Sequence, residues 1–405
     1  MKKLLLAVLT GFAALSLAAC GGSKDKFGFI FLHDEKSTYD KNFIDAAKDV
    51  CKELGVQAVL KTNVPEGEKC YATAKELAKK GCKGIFADSF GHESFMIQAA
   101  KEYTTVEFAH ATGTMAHTEN LSNFHNAFAA IYEGRYTAGI AAGMKLNEMI
   151  AAGKIDADKA VMGYVGAFPY AEVVSGYTSF YLGAKSVCPS VTMKVRYTNS
   201  WYDENAERQT ATTLIEDDNC VLISQHADSQ GAPSVCETKK VPNVFYNGEN
   251  KSLTNSYLTS SRINWRPYFK YFINSVLKGD KMDADWTGTI ANGAVEVFAA
   301  SGIAAEGTQA AMDAAIAKFK AGTLNVFDTA NFTVSKFGDP AKEDYTNLNA
   351  TVDATGKVIN YNADVNTDPN YAGDTEVIIS GIFKESFYRS APYFDIRIDG
   401  ITELA

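Results

Sequence analysis

After its first nineteen residues the chain has no apolar run of the roughly 20 residues that a membrane-spanning helix needs, so no later segment is read as a span. No two of its seven cysteines stand in CxxC spacing, which argues against a cysteine-built zinc site. Basic side chains are in deficit. From residue 20 onward 37 Lys and Arg face 48 Asp and Glu, a formal charge of −11, and such a surface excludes nucleic acid as a partner. There is no G-x-S-x-G elbow and no EF-hand spacing, so a hydrolase of that type and an EF-hand calcium loop are not expected. Histidine is rare, at six in 405 residues, and His117 and His125 carry no motif; they read as loop and helix-start residues.

What is present begins with an export signal. Lys2 and Lys3 precede a mostly apolar stretch from Leu4 to Ala19 that is broken by Thr10, Gly11 and Ser16, as a secretory leader is. Leu17-Ala18-Ala19-Cys20 resembles a bacterial lipobox, which implies cleavage before Cys20 and a lipid anchor on its sulfur. Residues 1–19 are then a signal peptide and 20–26 a linker that tethers the protein to the outer face of the cell membrane.

From Phe27 short β-branched or aromatic runs alternate with amphipathic stretches, the grammar of an α/β fold with parallel sheets. Strands are expected at "KFGFIFL", "VQAVLKTN", "KGIFADS" and "TVEFAHAT". A helix at "NFIDAAKDVCKELG" puts Phe43, Ala46, Val50 and Leu54 on one face and stops at Gly55. A long helical stretch, "NAFAAIYEGRYTAGIAAGMKLNEMIAAG", is followed by a second set of strands at "AVMGYVGAF", "TMKVRYTNSW", "CVLISQH" and "NVFYNGE". Two similar lobes follow from this, an N-terminal one over 27–125, rejoined by 262–325, and a C-terminal one over 126–261. Residues 326–405 form an extension, polar at first and ending in a strand-like "SAPYFDIRIDGITEL" that packs on a lobe. Cys51 with Cys82, and Cys188 with Cys220, sit at helix ends and strand starts on one rim. Pairing and burial as small core residues are both open for them.

Ligands of open α/β sheets sit beyond the carboxyl ends of the strands, and here those ends are rich in polar and aromatic residues. Two lobes with facing strand ends make a cleft, and a hinge lets it close. In "QHADSQG", His226 and Asp228 point to one side; a metal would need His92 or His110 from across the cleft, and Ser229 lacks the setting of a nucleophile. A carboxylate there is better suited to accept from the paired hydroxyls of a ribose, the role expected of Asp228. Phe90 and Trp201 each follow a strand and can clamp a flat ring, with Phe168 as a third candidate. Asn42, Asp88, Ser89 and His92 offer the mixed donors and acceptors of a purine edge, and Ser89 also reads as a helix cap. "SRINWRPYFKYFINSVLKG" reads as a core-facing helix, with Asn264 and Trp265 near the hinge.

Taken in order, "FIFLHDEKSTYDKNF", "FADSFGHE", "FHNAFAAIYEGRYTAGIAAG", "GYVGAF", "WYDENAE", "QHADSQG" and "NWRPYFKYFINSVLKGD" resemble the basic membrane protein family of substrate-binding lipoproteins of ATP-binding-cassette importers. The resemblance covers about residues 26–325. It implies a type I periplasmic-binding-protein fold of two Rossmann-like lobes, a purine nucleoside or base as ligand, permease and ATPase subunits as partners, a monomer, no catalysis and no cofactor. It further implies an aromatic clamp on the base and carboxylates on the ribose, carried here by Phe90, Trp201, Asp88 and Asp228. The chain departs from the family after the eighth strand, where "YNGENKS" replaces an aspartate pair and leaves Asn247 or Glu249 for that contact. Near the third crossover Arg262 and Arg266 stand where lysine is common. Riboflavin or a sugar as ligand, an exported signalling receptor and an exported enzyme are the alternatives.

Overall fold

A computed structural model describes residues 24–365 and 373–404. The expected signal peptide and Cys20 lie outside the described residues. The chain begins with β1 (Lys26–Ile30), α1 (Thr38–Glu53), β2 (Gln57–Lys61), α2 (Glu68–Lys79), β3 (Cys82–Ala87), α3 (Glu93–Glu102), β4 (Glu107–Ala111), α4 (Ala116–Glu119) and β5 (Phe124–Ala129). Helix α5 (Ile131–Ala151) leads to β6 (Val161–Gly166), α6 (Ala171–Lys185), β7 (Thr192–Tyr197), α7 (Glu204–Glu216), β8 (Leu222–His226), α8 (Gly231–Lys239), β9 (Asn243–Tyr246) and β10 (Tyr257–Ile263). Then come α9 (Arg266–Lys278), β11 (Asp285–Gly288), β12 (Val295–Val297) and α10 (Thr308–Lys320).

These strands make two sheets. The first runs β11-β5-β4-β3-β1-β2, all parallel. The second runs β12-β10-β9-β8-β6-β7 and gains β18 (Ile401–Glu403) beside β7; only β12 is antiparallel. The expected α/β architecture of two Rossmann-like lobes is therefore present. The chain crosses between them three times, at Ala130, around Asn264 and over 289–294. At the third crossing the Glu133 carboxylate accepts the Ile290 N–H at 2.6 Å, which pins it to the start of α5.

Local sequence explains these elements. Ser37 caps α1 by accepting the Asp40 N–H, and Gly55 ends it at φ +70° as expected. Helices α5 and α6 touch backbone to backbone, because a side chain at Gly139 would meet the Phe180 carbonyl and one at Gly183 the Tyr136 carbonyl. The expected boundary at 125/126 needs correction. It falls inside β5, whose six residues are all buried, so no polar alternation marks it as a strand. For the same reason the helical stretch starts at Ile131 rather than Asn126, and His125 is a strand residue. Of residues 262–325, α9 and β11 rejoin the first lobe, whereas β12 and α10 pack on the second.

The extension forms a small antiparallel sheet of β13 (Ala350–Val352), β14 (Val358–Ala363) and β15 (Thr375–Glu376), then a hairpin of β16 (Ile378–Ile379) and β17 (Ile382–Phe383). The final strand is shorter than its sequence suggests. Phe394, Ile396 and Ile398 do alternate inward, yet only residues 401–403 find a ladder partner, on β7. The extension holds both lobes: Ser390 donates twice to Asp285 of β11 at 2.8 Å, and Ser175 of α6 donates to Glu385 at 2.5 Å. All six described cysteines are free and buried. Cys51 and Cys82 belong to different core clusters, as do Cys188 and Cys220, so neither rim pairing forms. Among the described residues no helix is long and apolar enough to cross a membrane.

Candidate functional site

The carboxyl ends of the strands from both sheets meet around a small cavity of about 30 Å³. The first lobe supplies Leu32 and His33 after β1, Tyr39 and Asp40 on α1, and Asp88, Ser89 and Phe90 after β3. Asp88 is fully buried. Its Oδ1 accepts the Leu32 N–H at 3.1 Å, its carbonyl accepts the Tyr39 hydroxyl at 2.8 Å, and its Oδ2 has no protein partner. Burial, and then the nearby Asp40 carboxylate, push its pKa well above the ordinary carboxylate range. Asp40 goes the other way: burial opposes ionisation, but hydrogen bonding with His33, whose N–H donates to Oδ1 at 2.7 Å, and with the Ser37 side chain outweighs it and lowers the pKa. The lobe thus holds one stabilised anion and one carboxyl that favours its neutral form.

The second lobe supplies Glu172 at the start of α6, Trp201 beyond β7, His226 ending β8, Asp228 after it, and Tyr246 ending β9. His226 Nε2 lies 2.8 Å from the Tyr246 hydroxyl and 3.4 Å from Glu172, and burial lowers its pKa. Asp228 is held by its backbone, its N–H donating to the Trp201 carbonyl at 3.0 Å, so carboxyl and indole are placed together. Burial, followed by Asp40, Glu207 and Glu172, raises its pKa well above normal. Behind Tyr246 lies Arg135 of α5, fully buried, donating to Ser224 Oγ at 2.6 Å and to the Tyr164 hydroxyl at 3.2 Å. Its guanidinium is 5.3 Å from the Tyr246 ring centre and puts a positive charge beneath the acid-rich floor.

Aromatic rings form the neck. Phe90 of the first lobe faces Tyr170 of the second at 5.8 Å between ring centres. Tyr170 stacks on Phe168 at 5.1 Å and lies 6.1 Å from Trp201. The lobes also meet directly: the Thr38 N–H donates to the Asp228 carbonyl at 3.1 Å, and Asn42 Nδ2 donates to the Asn247 carbonyl at 2.8 Å. The cleft is closed.

Of the residues expected at the site, Asp88, Ser89, Phe90, Trp201, His226 and Asp228 line the cavity. The others do not. Asn42 and Asn247 bond each other across the lobes, and Glu249 pairs with Lys251 at the surface. His92 is buried with Nε2 on the Val64 carbonyl, closing a capping box with Ser89, while His110 sits behind the site with Nε2 2.6 Å from the Ser89 carbonyl. Burial brings both of their pKa values to about 4. Phe168 backs the indole of Trp201, edge to face at 5.2 Å, rather than the cavity. Leu32, His33, Tyr39, Asp40, Thr112, Glu172 and Tyr246 were not singled out, although each stands in or next to a polar strand end where such residues collect.

The arrangement does not build a nucleophile. Ser229 Oγ accepts the Gly231 N–H at 2.9 Å at the start of α8, and His226 is engaged by Tyr246 and Glu172. Among the described residues no three His, Cys, Asp or Glu side chains converge as metal ligands do. What the site offers is a flat apolar neck above a polar floor.

A family model described as ABC transporter substrate-binding protein, PnrA-like, matches residues 31–315. The chain is 34% identical over 283 residues to the purine-binding protein of Brucella abortus, covering 68% of this chain and 75% of that one. It is also 34% identical over 212 residues, 50% of this chain and 49% of the other, to a Haloferax volcanii protein provisionally named an ABC transporter glucose-binding protein. Among solved structures, an ABC transporter solute-binding protein from Conexibacter woesei superposes with a TM-score of 0.60 at 16% identity, over 74% of this chain and 97% of that one.

Proposed function

This chain belongs to the PnrA-like family of ABC transporter substrate-binding proteins, and from that premise we propose that its ligand is a purine nucleoside or the free base. The observation that carries the reading is the combined lining of the cavity. Phe90 and Trp201 both line it and in this reading hold a planar ring between them, and the Asp88 Oδ2, which lacks a protein partner, lines it together with Asp228 and His226. The base lies in the neck, and the carboxyls below take the ribose hydroxyls. Residues 1–19 direct export and Cys20 carries the lipid that keeps the protein at the outer face of the membrane, as its lipobox-like setting suggests. There it hands the ligand, as a monomer, to permease and ATPase subunits.

The test is a melting and calorimetric screen of the purified chain with adenosine, guanosine, inosine, adenine, hypoxanthine, riboflavin, ribose and glucose. A ligand at 100 times its dissociation constant stabilises by about 2.7 kcal/mol. Stabilisation by a purine supports the reading, and no shift with any purine overturns it. Glucose is in the screen because of the Haloferax relative and because rings and carboxylates also serve sugars. A response to glucose alone would establish that second reading instead.

A further inference from the structure

Beside the aromatic neck lies a second, larger chamber of about 420 Å³, open to solvent. It shares Phe90, Thr112, Glu172 and Trp201 with the inner cavity, so the two spaces adjoin across these side chains. Its far wall comes from neither lobe but from the extension, through Asn349, Tyr361, Asp364, Arg389, Tyr393 and Asp395. Those residues lie beyond position 315, where the family match ends, so this wall belongs to the part of the chain that the family model does not describe.

The lining has a sign. Glu172, Asp364 and Asp395 are acidic, and Arg389 is the basic residue among them. The Arg389 guanidinium donates to the backbone carbonyls of Asp364, Ala391 and Pro392, which fixes it in the wall. Arg397, beside Asp395, is shared with Glu403. The balance disfavours an anion and suits a neutral polar or cationic group.

A flat guest held in the neck shows one edge to the inner cavity and the opposite edge to this chamber. With the ribose directed to Asp88 and Asp228, the outward edge of a purine is the one that carries its exocyclic group on the six-membered ring. We propose that the outer chamber is a second compartment of the ligand site, which accepts a neutral or cationic substituent on that exocyclic position and rejects an anionic one. This deepens the purine-nucleoside reading and rests on it.

Calorimetry on the full chain tests it with adenosine, N6-(6-aminohexyl)adenosine and an N6-carboxyalkyl adenosine of matched length. The expected result is that the amine-tailed ligand binds no more weakly than adenosine and about tenfold more tightly than the carboxylate. In Asn349→Trp, where an exposed wall residue is enlarged to fill the chamber, both tailed ligands weaken while adenosine does not. Asp364→Asn narrows the gap between amine and carboxylate. Should Asn349→Trp fail to bind adenosine, the contrast between the two tails in the unmodified chain still decides. Exclusion of both tails with adenosine binding intact, or equal affinity for amine and carboxylate, overturns the second compartment alone. No binding of adenosine at all overturns this proposal together with the nucleoside reading.

Discussion

Replacing Phe90 with alanine separates recognition from folding, because this ring is 49% exposed in the closed protein and among the described residues touches one other ring, that of Tyr170 at 5.8 Å. A side chain so little buried contributes little to the core. Its removal should change the unfolding free energy by less than about 0.5 kcal/mol, the range of surface substitutions. The melting temperature of the ligand-free chain should then move by less than about 2 °C. Binding is another matter. A base stacked on an aromatic side chain contributes about 1–3 kcal/mol, which at ~1.4 kcal/mol per decade is a loss of roughly fivefold to 150-fold in affinity. Titration calorimetry with adenosine and adenine reads this directly, and both should weaken alike because both offer the same face. A dissociation constant within twofold of the unmodified chain would show that the ring does not meet the ligand. A melting temperature that falls by many degrees would show instead that it packs the lobes.

Three further outcomes follow from the same geometry. Asp228→Asn should weaken ribosides by about 0.5–1.5 kcal/mol, the value of a hydrogen bond between neutral groups, and free bases by clearly less; equal losses in calorimetry would remove Asp228 from the ribose. Asn42→Ala deletes the 2.8 Å bond to the Asn247 carbonyl that joins the closed lobes, so it should weaken base and nucleoside equally by about 0.5–1.5 kcal/mol, and a selective effect would place Asn42 on the ligand. Glu207 lies fully buried under the 228–231 turn, where burial pushes its carboxyl up to about 7 from an ordinary 4.5. The folded form holds the proton more tightly than the unfolded one, so its contribution is complete below about pH 4.5 and is lost as pH rises to about 7, some 3 kcal/mol in all. The melting temperature of Glu207→Gln should accordingly fall less than that of the unmodified chain between about pH 5 and 7.5, and parallel profiles would mean that Glu207 is already ionised in the fold.

The lobes were legible where the sequence carries a period or a stop. Helix α1 shows its buried stripe, Ser37 its cap and Gly55 its end. Strand β5 was not legible, because "FHNAFA" is buried on both faces and its alanines suit a helix as well. The strand ends located the site but could not sort its members, since local sequence does not say which polar side chains turn inward. His92 and His110 look like ligands from their neighbours, yet each is absorbed by a backbone carbonyl, of Val64 and Ser89 respectively. Asn42 and Asn247 are 205 residues apart and meet only once the lobes close. Arg135 sits in a run of small residues on α5 with no motif around it, and its partners Phe245, Tyr164 and Ser224 come from three different strands.

The position of the two raised carboxyls suggests where selectivity resides. Asp88 stands on the first lobe and Asp228 on the second, and the bond from Thr38 to the Asp228 carbonyl, which joins the lobes, runs beside them. With the lobes apart, water would solvate both groups; bringing the lobes together removes that water, and desolvation is what shifts their pKa values upward. Closure therefore works against these two side chains unless something supplies hydrogen bonds in place of water. A guest whose hydroxyl or N–H groups reach Asp88 Oδ2 offsets that cost, whereas a flat apolar guest of the same shape would leave the oxygen unpaired at about 1–3 kcal/mol. The rings of the neck would hold either guest comparably, since stacking asks only for a flat face. In the proposed reading discrimination would lie in the closing step, where a ligand carrying hydrogen-bonding groups on its inner edge would shift the lobes toward the closed form.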